Sequence, residues 1–340
     1  MYYHYDNRQG WLGGPCGLTR YKGRYHLFYQ YYPHANHYGP MYWGHLVSDD
    51  LISFEDLGLA LAPDSEELGF GCSSGCAVTF GDKIYLFYGS VSEEGEGVSL
   101  AVSSDGLEFE KKGRILKAPP GSRFRTPFVF EYQGSFRMLV GSGYRVLMYT
   151  SEDLYNWTDE TELMCDSRFG LTIEYPQLIE LKGKWILVIQ GERHMPSKVL
   201  FACGSFDGKT FEFDETDTGA SFIPIETGPE FYCPVSYKNI IIGWMYSTRF
   251  TYASALSSPR TLSLDEGRPC LKVIDGLKGR LKDESRFVRY ENGRLEILFE
   301  HRVLWSKAYA HGPDIKTLED VGTVEVFMED GTENVSLFIC

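Results

Sequence analysis

The chain has 340 residues, enough for one large domain or one large and one small, and its 43% hydrophobic share excludes a disordered protein. A formal net charge of -14 argues against nucleic acid or an anionic membrane as partner, because phosphates and acidic headgroups repel such a surface. Aromatic residues make up 15%, with Tyr and Phe leading, which suits strands and would also suit a saccharide site.

In chain order, Gly13-Gly14-Pro15-Cys16-Gly17 leads into a first hairpin, Tyr21-Lys22-Gly23-Arg24-Tyr25-His26-Leu27-Phe28-Tyr29. Ser48-Asp49-Asp50-Leu51-Ile52-Ser53-Phe54 then predicts a turn between outer strands, its Asp capping the turn and its aromatic packing between neighbouring units. Ser73-Ser74-Gly75-Cys76-Ala77, a second hairpin at Phe80-Gly81-Asp82-Lys83-Ile84 and a second turn, Ser103 to Phe109, repeat the sequence of signals. They return at Phe124-Arg125-Thr126-Pro127, Tyr132-Gln133-Gly134 and Ser151 to Trp157. The next copies are Ile173-Glu174-Tyr175-Pro176, Leu181-Lys182-Gly183 and Ser205 to Phe211, and the last are Phe231-Tyr232-Cys233-Pro234 and Tyr237-Lys238-Asn239. Gly, Asp or Asn supplies the positive φ of each tight turn.

Five copies at a spacing of about fifty residues, with no long helical periodicity, predict an all-β, five-bladed β-propeller over residues 1–276. Residues 277–340 break the pattern. Strand-like runs at Leu295–Phe299, Thr323–Met328 and Val335–Ile339, with an Asp330-Gly331 turn, predict a short C-terminal β appendage, a reduced β-sandwich. Proline is tolerated at a strand's first residues, so the five marker segments are strand starts and converge on one pocket at the axis.

No apolar run reaches the roughly 20 residues that span a bilayer. The opening Met1-Tyr2-Tyr3-His4-Tyr5-Asp6 has no basic stretch followed by an apolar one, and the eight cysteines are irregularly spaced. The expectation is a cytoplasmic protein with reduced thiols, no structural zinc or other metal and no cofactor. Cys16, Cys76 and Cys233 all fall in strand-start segments. They are either small buried residues or, near one axis, a group capable of thiolate or metal chemistry.

Several motifs together resemble glycoside hydrolase family 32, the invertases, fructanases and sucrose-6-phosphate hydrolases. Gly10-Trp11-Leu12-Gly13-Gly14-Pro15-Cys16-Gly17-Leu18 is similar to the family's W-M-N-D-P-N-G-L, and Tyr25 to Pro33, Trp43-Gly44-His45 and Ser74-Gly75-Cys76-Ala77 follow in family order. Arg125-Thr126-Pro127 stands for R-D-P and Glu174-Tyr175-Pro176 for E-C-P. Gly243-Trp244-Met245, Ser258-Pro259-Arg260 and Val324-Glu325-Val326-Phe327 complete the likeness. The resemblance implies a pocket for a small, fructose-containing or similar saccharide, lined by Trp11, Gly14, Gln30, Trp43, Ser74, Arg125, Thr126 and Tyr175.

It also implies catalytic roles, and here the chain departs from the pattern. The family's nucleophile position is Gly14 and its transition-state stabiliser position is Thr126; only the acid/base survives, as Glu174. Retaining hydrolysis needs two carboxyl groups about 5–5.5 Å apart, and loss of a nucleophile costs on the order of a million-fold in rate. Three functions therefore compete: saccharide binding without turnover, a glycosidase or transglycosidase of altered mechanism with Glu174 as acid, and a protein-interaction platform. For the second, Glu230 is the acid near a marker segment that could act as base. Oligomeric state is open in this reading.

Overall fold

The structure, a computed structural model, describes residues 3–6, 9–65, 67, 69–93, 95–119, 121–191, 198–215, 222–250 and 253–339. Alternating aromatic and branched residues between tight turns fold as five successive antiparallel sheets. The first contains β1 (Trp11–Tyr21), β2 (Arg24–Tyr32), β3 (Tyr42–Ser48) and β4 (Glu55–Leu61), hydrogen-bonded in chain order. The second contains β5 (Gly75–Phe80), β6 (Lys83–Ser92), β7 (Gly95–Ser103) and β8 (Glu110–Lys117). In the third are β9 (Arg125–Tyr132), β10 (Ser135–Ser142), β11 (Arg145–Ser151) and β12 (Thr158–Cys165).

The fourth sheet runs β13 (Ile173–Leu181), β14 (Lys184–Gly191), β15 (Lys198–Phe206) and β16 (Phe211–Phe213), with β17 (Ile223–Pro224) also on β15. The fifth has β18 (Phe231–Tyr237), β19 (Ile240–Ser247), β21 (Arg260–Asp265) and β22 (Arg268–Val273), with β20 (Ala253–Leu256) on β19. Two three-stranded sheets follow: β23 (Val288–Glu291), β24 (Arg294–Phe299) and β25 (Arg302–Ala308), then β26 (Ile315–Asp320), β27 (Thr323–Met328) and β28 (Glu333–Phe338). The described residues are thus nearly all-β, with one four-residue α-helix, Asp275–Lys278.

The repeated signals have local causes. At Lys22-Gly23 both residues have positive φ, +47° and +89°, the geometry whose twist matches a two-residue hairpin. In the outer turns Asp50, Asp105, Asp153 and Asp207 each accept from the backbone N–H groups two and three residues on. Those backbone donors hold Asp105 and Asp153 down at about 2. The aromatics ending these turns join neighbouring sheets: Phe109 meets Phe28 edge-on at 5.5 Å and Trp157 meets Phe87 at 5.9 Å.

First strands adjoin one another in turn, β1 with β5, β5 with β9, β9 with β13 and β13 with β18, and β18 adjoins β1. Just inside the strand starts, Gly17, Gly75, Cys76, Thr126, Tyr175, Gln177 and Pro234 surround a void of only about 10 Å³. That is room for a single water.

The last sheet is tied to the rest by buried charge. Arg260 donates to Glu226 and Glu325, each at 2.6 Å, and to Ser336 Oγ at 2.5 Å, with its guanidinium over the Phe231 and Phe327 rings. His4 joins them: its ring nitrogens lie 3.0 Å from Asp320 and 3.2 Å from Glu325, and Asp320 Oδ2 also accepts the Tyr3 and His4 N–H groups. Burial disfavours a charged His4, but the two carboxylates outweigh it and hold the group up at about 9. Burial likewise opposes the Glu325 charge, and Arg260 and His4 overcome it, bringing the carboxyl down to about 2.

Candidate functional site

Four of the five first strands carry the same distortion at their start. Pro15, Pro127, Pro176 and Pro234 follow Gly14, Thr126, Tyr175 and Cys233, and the strand register slips at each of these points. Proline has no N–H for the ladder, and a bulge removes the need for one. Thr126, Tyr175 and Cys233 take φ of +46°, +52° and +52°, a conformation in which Cβ crowds the backbone at a cost of about 1–2 kcal/mol each.

The bulges are cross-linked. Thr126 Oγ1 accepts the Tyr175 N–H at 2.5 Å, and the Tyr175 hydroxyl shares a hydrogen bond with Ser74 Oγ at 2.9 Å. Gln190 Oε1 accepts the Cys233 N–H at 2.6 Å, and Gln177 Nε2 donates to the Pro234 carbonyl at 2.7 Å. Burial first, then the Cys233 and Glu174 charges, push the Tyr175 hydroxyl well above its ordinary range, so it remains protonated. Thr126, Ser74 and Tyr175 are all buried, and they frame the mouth rather than face open solvent.

At the mouth, Arg125 stands between two acids. Its Nε lies 3.9 Å from Glu174 Oε1 and its Nη1 3.3 Å from Glu96 Oε2, which also accepts the Phe124 N–H. The side chain of Glu174 is 36% exposed, so a ligand can reach it. Tyr38, 52% exposed in the loop between β2 and β3, has a hydroxyl raised by burial and within electrostatic reach of both Arg125 and Glu174. Its ring meets Trp11 edge-on at 5.6 Å, and Trp11 in turn meets Trp244 at 5.5 Å. Sequence reasoning missed Glu96 and Tyr38, because neither lies in a strand-start segment. Gln30 is half-buried opposite Trp43 in the β2–β3 ladder.

The space beside Gly14 is occupied. A Cβ on Gly14 would sit 2.7 Å from Cys233 Cβ, 3.2 Å from its Sγ and 3.6 Å from Trp244 Cβ. A side chain at residue 14 is not merely absent; its space is filled from β18 and β19.

Two expectations need correction. Trp43 is wholly buried among Cys16, Phe28 and Tyr88, and its Nε1 donates to the Cys72 and Ser73 carbonyls at 3.2 and 3.1 Å. It supports the wall behind Ser74 and has no face for a sugar. Glu230 is buried as well; Oε1 pairs with Arg249 at 2.8 Å and Oε2 accepts the Phe338 N–H at 2.7 Å. Both oxygens are committed to the seam with the last sheet. The three marker cysteines are buried free thiols. Burial pushes Cys76 and Cys233 up to about 12 and Cys16 well above its ordinary value, opposite to what a thiolate nucleophile needs. Among the described residues no group of three or more His, Cys, Asp or Glu is set to hold a metal ion.

Residues 4–272 match the profile of the glycosyl hydrolases family 32 N-terminal domain, and the chain belongs to that family. It is 31% identical over 299 residues to the sucrose-6-phosphate hydrolase of Escherichia coli, covering 78% of this chain and 63% of that protein. Against the levanase of Bacillus subtilis (strain 168) it is 33% identical over 314 residues, 80% of this chain and 46% of the relative. The chain thus spans from about half to under two thirds of these relatives' lengths. The fold is shared with a Bombyx mori GH32 β-fructofuranosidase, with a TM-score of 0.83 at 24% identity over 99% of this chain and 88% of that one.

Proposed function

We propose that this protein binds a small fructose-containing or similar saccharide at the mouth around Glu174, Arg125 and Tyr38, and that standard retaining hydrolysis is closed to it. The observation that carries this reading is the contact at Gly14, where Cys233 and Trp244 fill the space a nucleophilic carboxylate would need. Thr126, which spends its hydroxyl on the Tyr175 N–H, brings no second charge. Binding is supported by the half-exposed Glu174 beside Arg125 and by structural likeness to a Bombyx mori GH32 enzyme variant solved with sucrose, at a TM-score of 0.82. In this reading the five sheets are the blades of a five-bladed propeller over residues 1–276, and residues 277–340 form a shortened β-sandwich module. No helix of the described residues is long and apolar enough to cross a membrane; with the free thiols, this supports a cytoplasmic location.

One observation favours a second reading. Glu96 shares Arg125 with Glu174, and an inverting glycosidase needs two carboxyl groups about 6.5–9.5 Å apart. Glu96, not Glu230, is the acid to test for that route. Calorimetric titration with sucrose and 1-kestose, alongside assay of released reducing sugar, separates the readings. Binding without product, with the event at the mouth abolished in Glu174→Gln, is the expected result. Product released with retained configuration at ordinary enzymatic rates would overturn it, and product with inverted configuration lost in Glu96→Gln would select the second reading.

A further inference from the structure

A second cleft, on the second sheet, has a volume of about 710 Å³. Its walls come from β6, β7 and β8 and from the segment joining β4 to β5. Hydroxyls and charged groups line it in equal number: Ser90 Oγ and Ser99 Oγ share a hydrogen bond at 2.7 Å, and Ser92 Oγ accepts from Arg114 Nη2 at 2.8 Å. Among the described residues Arg114 finds no hydrogen-bond acceptor for its Nε. Gly97 creates the room for that side chain, since a Cβ there would lie 2.7 Å from Arg114 Cδ. Successive residues on a strand face opposite ways, and the neighbouring Glu96 reaches Arg125 on the other side of β7. The cleft and the contact between Glu96 and Arg125 therefore lie on opposite faces of β7.

The charges in the cleft are largely self-compensated. Lys111 Nζ sits 2.6 Å from Glu67 and 3.1 Å from Asp64, and Glu93 is also in the lining. With three carboxylates against Lys111 and Arg114, the site carries no excess positive charge to attract an anion. What it offers is paired donors and acceptors in a volume typical of small-molecule sites. That chemistry matches a neutral polyhydroxyl ligand, whose hydroxyls both give and accept hydrogen bonds. We infer that this cleft is a second saccharide-binding site, independent of Glu174.

The test is calorimetric titration of the full chain with sucrose and 1-kestose, and with inorganic phosphate as the anionic control. Three variants are compared at matched melting temperature: Ser92→Trp to fill the cleft, Ser99→Val to remove one hydroxyl, and Glu174→Gln at the mouth. Wild type is expected to show two binding events, one of them lost in Ser92→Trp, weakened about threefold to tenfold in Ser99→Val and unchanged in Glu174→Gln. If Ser92→Trp does not fold, the Ser99→Val titration decides alone. A single event that ignores both serine variants overturns the second site and leaves the reading of the mouth intact. Phosphate binding in the cleft with no sugar binding there overturns the assignment of a neutral ligand. Sugar binding that survives Glu174→Gln and disappears in the serine variants would uphold this site and refute the mouth.

Discussion

On the proposed reading, replacing Gly14 with Asp puts a carboxylate back where the nucleophile would stand, and the contacts around residue 14 predict that this alone fails. The new Cβ would lie 2.7 Å from Cys233 Cβ, and Cys233 has little freedom to retreat because its N–H is held by Gln190 and its φ is +52°. Overpacking of this kind costs about 1–3 kcal/mol, and a carboxylate set into a buried position adds to it. A loss of about 2–3 kcal/mol lowers the melting temperature by about 3–4 °C for a chain of this size. Cys233→Gly should relieve the clash, since glycine adopts the left-handed conformation without strain. The double variant Gly14→Asp/Cys233→Gly is therefore expected to recover most of the lost stability, giving a coupling energy of about 1–2 kcal/mol in a double-mutant cycle. Thermal denaturation of the four proteins measures it. A Gly14→Asp protein that melts with wild type, or that cleaves sucrose unaided, would refute the claim that the space is occupied.

Three further outcomes follow from the same geometry. His4 is held up at about 9 by Asp320 and Glu325 against about 6.5 in an unfolded chain, so its contribution of about 3 kcal/mol is complete below pH 6.5 and lost as pH rises through 9. The melting temperature should fall across that window in wild type and stay flat in His4→Gln. Trp43→Phe leaves the Cys72 and Ser73 carbonyls without their donor and should cost about 1–3 kcal/mol by chemical denaturation while leaving sugar affinity unchanged; a selective loss of affinity would restore Trp43 to the site. In native protein, mass spectrometry after iodoacetamide should find exposed Cys165 alkylated and Cys16, Cys76 and Cys233 untouched until denaturant is added.

What was legible in the sequence was whatever is decided locally. The Lys22-Gly23 turn, the Asp105 and Asp153 caps and the proline at four of the five strand starts all depend on neighbours a few residues away, and their positions read directly from the chain. A motif match at Trp43-Gly44-His45 located the tryptophan in the chain but not the direction of its ring, which is fixed by carbonyls about thirty residues on. Glu230 misled for a related reason: Arg249 and the Phe338 N–H, which claim its carboxylate, come from elements with no sequence signal linking them to it. Glu96 and Tyr38 were invisible because nothing marks them until Arg125 and Glu174 are brought beside them in space.

The anchorage of His4 by Asp320 and Glu325 sets an order of events during biosynthesis. More than three hundred residues separate these partners, so a chain still emerging from the ribosome holds its earliest segment without its final lodging. His4 must wait, solvated and only partly charged at neutral pH, until β26 and β27 are released. A truncation removing β26–β28 should therefore loosen the beginning of the chain as surely as its end, and amide exchange at Tyr3 and His4 is where that slackening would first be read.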